Sequence, residues 1–180
     1  CLLQSLSGTL RLLRRVFILV WAAFHCNCGS SRYCFDGDRV SIMSQTLTGI
    51  IRFHSVGGAE VLQYEQVPVA EPAHGEVRIK ILSLGLNRAE VLLRQGLYLE
   101  KPVFPSRIGY EACGIVEAIG EGCAAVLAGT GIEIGSRVST VPCFSQAKYG
   151  VYGETAVVPA RSLVVCPANL SDIEGSSIWM

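Results

Sequence analysis

Net charge is the first thing missing. Lys+Arg and Asp+Glu each number 15 in 180 residues, so nothing in the balance points to nucleic acid or an anionic membrane. A membrane-length apolar run is also missing. The longest near the N-terminus, Val16 to Phe24, falls well short of the ~20 residues a spanning helix needs. A nucleotide-binding glycine fingerprint is not found either. "GTGIEIG" (129–135) has the spacing G-x-G-x-x-x-G and precedes a strand pattern, where the fingerprint must open a helix, so it reads as a loop. Nor is there a disulfide framework. Of the eight cysteines, Cys113, Cys123, Cys143 and Cys166 stand singly among apolar neighbours. They read as small buried hydrophobes in a reducing, cytoplasmic setting.

What is present is half hydrophobic by composition, which suits a globular chain of about one domain. The first 42 residues differ in kind from the rest. Arg11, Arg14 and Arg15 precede the short apolar run, a layout shared with secretory signals. Met43, however, opens "MSQTLTGIIRFH" like a natural start. Residues 1–42 are therefore expected to be an upstream or non-native leader without structure. Cys26, Cys28 and Cys34 do not have a recognised zinc spacing.

From Met43 onward the patterns are mainly β with short helices. "TLTGIIRFH" and "VLQYEQVPV" read as strands on either side of the turn "SVGGAE". "EVRIKILSLGL" alternates Val77, Ile79 and Ile81 with Arg78 and Lys80, the period-2 mark of a strand with one wet face. Its uncharged second half is expected to run into the core. Asn87 with Glu90 resembles a capping box ahead of "RAEVLLRQ", a short helix stopped by Gly96. "EACGIVEAIG" is a strand whose Gly114 marks a bulge or a close backbone approach. "SRVSTVP", "YGETAVVP" and "SLVVCP" are further short strands closed by prolines. Many short strands with frequent turns imply a β-barrel or sandwich core. Ser171 and Glu174 cap a helix of about two turns. Being marginal alone, that helix is expected to lead into a longer protein. The domains expected are thus the leader 1–42, a β domain 43–170, and the start of a linking helix 171–180.

Four stretches then carry a resemblance: "GLNRAEVLLRQGLY" (85–98), "PSRIGYEACGIVEAIGEG" (105–122), "GSRVSTVP" (135–142) and "YGVYGETAVVPA" (149–160). In order and spacing they resemble the N-terminal, GroES-like catalytic domain of the medium-chain dehydrogenase/reductase superfamily, in its zinc-independent quinone oxidoreductase branch. The resemblance implies a partly open β-barrel, with the family's Rossmann domain lying outside this chain. In zinc-dependent members a catalytic Cys stands where this chain has Asn87, and a ligating His where it has Tyr110. Only Glu111 remains of the set, and the cysteines are too far apart for the family's structural zinc lobe. No zinc is therefore expected, and Tyr110 is expected to fill the space a metal would take.

The resemblance implies hydride transfer from NADPH or NADH to a quinone, enone or carbonyl. The cofactor would be bound mainly by the domain outside this chain, and the parent would be a possible homodimer. It places Asn87 near the nicotinamide and ribose and Tyr98 beside the substrate, the two candidate catalytic residues. Asn87 is also a helix cap, and Tyr98 also a packing residue. Nothing in the sequence around Cys113 lowers its pKa, so it is not a nucleophile candidate. The alternatives are a GroES-like binding module without activity and a relative of zinc alcohol dehydrogenases. The partner expected is a small molecule, with no nucleic acid and no membrane.

Overall fold

The computed structural model describes residues 31–36 and 39–180. They divide into two units, with the boundary between Gln45 and Thr46.

In the first unit, β1 (Ser31–Asp36) and β2 (Arg39–Ser44) pair antiparallel, with Tyr33 opposite Ile42 and Phe35 opposite Val40. The leader was expected to carry no structure, and this hairpin departs from that. Its origin is local: Tyr33 and Phe35 precede Gly37-Asp38 at alternate positions and Val40 and Ile42 follow it, a short-range hairpin signal. β2 also runs across Met43, so the boundary between units falls at Gln45/Thr46. The basic and apolar stretch before Phe24, with Cys26 and Cys28, lies outside the described residues.

The second unit is built from two antiparallel sheets. One runs β4 (Leu62–Pro68), β3 (Leu47–Phe53), β6 (Ser106–Arg107). The other has five strands: β5 (Glu76–Leu84), β7 (Ala112–Ile119), β8 (Arg137–Thr140), β9 (Thr155–Pro159) and β10 (Leu163–Val165). Their order is β10-β8-β7-β5-β9. The free edge of β3 meets the chain just before β9, through a bridge from Ile50 to Gly153 and the bond from Ile51 N–H to the Tyr152 carbonyl, 2.9 Å. The sheets thus bend toward a barrel without closing, as the resemblance implied.

The wet-face alternation of β5 is realised at its start, where Val77 and Ile79 are fully buried and Lys80 is exposed. Its second half enters the core only in part: Ile81 and Leu84 pack against the main cluster, but Leu82 is 45% exposed. Two causes act together. The pairing with β9 ends at Lys80, and a register shift between Ile81 and Ser83 changes the phase of the strand. That shift lies opposite Gly114, where a Cβ would come within 2.3 Å of the Lys80 carbonyl oxygen. Gly114 is therefore a close-approach glycine.

The main core joins Val77, Ile79, Val116, Val138, Ala156 and Val158, and a second cluster holds Phe53, Leu93 and Ile108. Leu93 comes from α1 (Arg88–Arg94), which ends ahead of Gly96 at φ 72°, the left-handed C′ conformation glycine supplies cheaply. The long segment after Cys123 forms the one-turn helix α2 (Ala124–Leu127) and is pinned by buried Cys123 and Ile132. A second one-turn helix, α3, spans Gln146–Tyr149. The C-terminal helix α4 (Asp172–Gly175) has one turn, where about two were expected. The Ser176 and Ser177 hydroxyls turn back onto the Ile173 carbonyl, 2.9 Å each, satisfying it where the helix stops. No helix among the described residues is long and apolar enough to cross a membrane.

Candidate functional site

Asn87, Tyr110 and Glu111 come together at the start of α1, and the side chain that joins them is Glu90. The chain enters α1 extended at Asn87 (φ −126°, ψ 158°), and Asn87 forms a capping box with Glu90. In that box the Asn87 backbone N–H donates to Glu90 Oε2 at 2.8 Å. The other oxygen, Oε1, accepts from the Tyr110 N–H at 3.1 Å. Glu90 is only 4% exposed. Burial pushes its carboxyl above the usual carboxylate range, against the opposing effect of the N–H groups that bond it.

The Asn87 side chain faces a second buried carboxylate. Its Nδ2 donates to Glu111 Oε2 at 2.9 Å, and Glu111 Oε1 accepts from the Trp179 N–H at 2.7 Å. The segment after α4 therefore caps Glu111. It is held by Arg137 Nε donating to Asp172 Oδ1 (2.8 Å) and by Ser139 Oγ donating to the Gly175 carbonyl (2.6 Å).

Tyr110 is buried, with its ring 6.3 Å from Tyr98 and 5.6 Å from Phe144. Burial first, then hydrogen bonding to Tyr98, raises its phenol far above the ordinary tyrosine value. Tyr98 is half-buried and packs against both core clusters. Asn87 and Tyr98 are thus each tied to the Tyr110–Glu111 segment, one by a hydrogen bond and the other by a ring contact. Leu86, Leu97 and Leu99 flank them and are exposed.

Two contributors were not singled out from the sequence. Tyr152 donates its O–H to the Gly85 carbonyl at 3.3 Å, and burial with the nearby charges of Glu90 and Glu111 raises its pKa. Gln146 is fully buried, and its Oε1 accepts from the Gly109 N–H at 3.3 Å. Both lie in or beside the quoted "YGVYGETAVVPA", but their long-range partners leave no mark on local spacing.

Cys113 is pushed up to about 11, by burial first and then by Cys166. Arg137, invisible in the local sequence, pulls it down but is outweighed. Its thiol stays protonated at neutral pH. Cys123 and Cys166 are buried as expected, whereas Cys143 is exposed, in the loop after β8. Among the described residues no group of three or more His, Cys, Asp or Glu side chains is placed to hold a metal ion.

The profile of the alcohol dehydrogenase GroES-like domain matches residues 73–168. The chain belongs to this GroES-like family, within the quinone oxidoreductase-like branch of the medium-chain dehydrogenase/reductases. Quinone oxidoreductase 1 of Escherichia coli is 34% identical over 121 residues, covering 67% of this chain and 34% of the relative. The crystal structure of an Escherichia coli quinone oxidoreductase complexed with NADPH superposes with TM-score 0.58 at 30% identity, covering 72% of this chain and 37% of that one. A human synaptic vesicle membrane protein VAT-1 homolog-like protein superposes with TM-score 0.61 at 28% identity, covering 73% and 39%. The chain spans about a third of the length of the curated relatives it matches. The GroES-like match covers the strands and α1 that position Asn87, Glu90, Tyr110 and Glu111.

Proposed function

We propose that this chain forms the substrate-side domain of an NAD(P)H-dependent, zinc-independent oxidoreductase that reduces a quinone, enone or carbonyl. The observation that carries the reading is the Asn87–Glu111 hydrogen bond at 2.9 Å. It fixes an amide at the position where zinc-using relatives have a ligand, on a family fold whose relatives are quinone oxidoreductases. An amide and a phenol at Asn87 and Tyr110 are poor zinc donors, and Tyr110 is committed to the core.

A nicotinamide cofactor fits what the residues offer. The Asn87 amide has two N–H donors. One is held by Glu111, and the second is available to the cofactor or substrate. When bound, the nicotinamide supplies the hydride. The chain's own groups orient and polarise. Tyr98 donates its O–H to the acceptor oxygen, where hydride arrival leaves negative charge, while Tyr110, held protonated, supports it from behind. The exposed Leu86, Leu97 and Leu99 provide an apolar rim suited to a planar ring. The free thiols of Cys113, Cys123, Cys143 and Cys166 support a cytoplasmic setting.

The test is turnover by the full gene product containing this chain, followed as loss of NADPH absorbance with 1,4-naphthoquinone and with a simple enone. Asn87→Ala is expected to lower kcat by about 10²-fold, and Tyr98→Phe by about tenfold, both with folded circular dichroism spectra. A folded protein that oxidises NADPH with no acceptor sinks the reading.

A further inference from the structure

The pairing of β3 with β6 sets two arginines side by side, since Arg52 and Arg107 are cross-strand partners. Arg52 has an acidic partner: its Nε donates to Glu65 Oε2 at 2.8 Å, and its Nη2 reaches the same oxygen. Arg107 has no such partner among the described residues. Its guanidinium makes one long bond, from Nη2 to the Thr155 carbonyl at 3.4 Å, and its Nε is buried without any partner. A guanidinium carries five N–H donors, and buried charges are ordinarily paired. Burial first, then the like charge of Arg52, lowers Arg107 to about 10. The group is still cationic at neutral pH, so it does not relieve its burial by losing a proton.

Arg107 lines a cavity of about 310 Å³ that also takes in Lys148, Tyr149 and Thr155. Two carboxylates reach its wall, Glu71 paired with a cation and Glu76 bonded by neutral donors. Glu71 Oε1 accepts from Arg78 Nη1 at 2.9 Å. Glu76 accepts from the Tyr149 O–H at 2.9 Å and from the Ala73 N–H at 3.0 Å. Lys148 forms no ion pair among the described residues; its Nζ lies 4.5 Å from the centre of the Tyr149 ring. Arg107 is therefore the cation of this wall without a counter-charge of its own, while the charge of Glu76 reaches Lys148.

We infer that this cavity is a binding site for a small oxyanion, a carboxylate or phosphate group held by the Arg107 fork with Lys148 beside it. The planar guanidinium matches both groups bidentately. The volume sits at the small end of ligand sites, which run roughly 300–1,000 Å³, so the ligand is a small molecule. None of the residues of the Asn87 site lines this cavity, and the inference stands independently of the proposed hydride transfer.

The experiment is a calorimetric titration of the 180-residue chain with inorganic phosphate and, separately, with acetate, at constant ionic strength. Saturable millimolar binding of at least one anion is expected. Arg107→Leu should weaken it about tenfold or more and Lys148→Ala by less, as befits loss of a charge-assisted pair. Saturation by phosphate alone assigns a phosphoryl ligand, and by acetate alone a carboxylate; either supports the site. Arg107→Lys keeps the charge without the fork, so if the leucine variant does not fold, weaker binding by the lysine variant carries the same conclusion. The inference is overturned if neither anion saturates in the millimolar range, or if folded Arg107 variants bind like the unaltered chain.

Discussion

Glu90 is the residue on which the arrangement turns. One buried carboxyl receives the N–H of Asn87 and the N–H of Tyr110, so it sets the distance between the start of α1 and the segment leading into β7. Replacing it with alanine strands two N–H groups, each worth about 1–3 kcal/mol when buried and unpaired. Glu90→Ala is expected to lose about 2–4 kcal/mol in urea unfolding, and Glu90→Gln less. The pH dependence gives an independent check. The folded pKa is raised, so the protonated form favours folding. That contribution is complete below the unfolded value, about 4.3, and is lost as pH climbs through the folded value. As pH rises above about 4.3 the unaltered chain should therefore lose stability relative to Glu90→Gln. A difference that stays flat with pH would show that Glu90 is not held as described. The sequence announced half of this role, since a capping box is visible in spacing, but the bond to Tyr110 spans 20 residues. Arg107 was wholly unreadable for the same reason: nothing near "PSRIG" reveals that its cross-strand neighbour is another arginine.

Among the elements, β7 and β5 show where pattern reading succeeds and where it stops. The charge alternation of Arg78 and Lys80 fixed the face of β5, because Lys80 reaches water and Arg78 pairs with Glu71 and Glu117 while Val77 and Ile79 are covered. Beyond Lys80 no charge remains to mark the phase, and the register shift that exposes Leu82 leaves no signature in the strand itself. Its signature is on the partner strand, as Gly114. A methyl there would collide with the Lys80 carbonyl, and backbone cannot move aside as a side chain can. Gly114→Ala is expected to cost about 1–3 kcal/mol, read as a lower denaturation midpoint. An unchanged midpoint would mean that the two strands are further apart than the structure has them. The hairpin of β1 and β2 has a local signal of its own, but it follows a basic and apolar segment whose composition is that of a leader.

For the whole molecule, both core clusters, among the residues whose burial is described, are built from the second unit. A chain beginning at Thr46 holds both clusters whole and is expected to unfold in one cooperative transition. A broad or absent transition would show that these clusters do not suffice to fold the unit. The class of fold and the order of its strands were legible because short strands punctuated by proline and glycine leave few other architectures. The sheet order was not, because β9 joins β5 across the intervening β7 and β8.

That non-sequential order matters during synthesis. The exposed side of β5 is completed only when Val158 comes to lie against Val77 and Pro159 against Glu76. At 5–20 residues per second the ribosome needs on the order of 4–16 s to make the stretch between them. For that interval a strand with Val77 and Ile79 on one face has an unpaired edge, and unpaired edges recruit other strands. Long-range pairing of this kind also slows folding itself. The nascent chain is thus most prone to aggregate just before β9 emerges, and a chaperone that binds extended apolar segments would find its best target between Glu76 and Leu84.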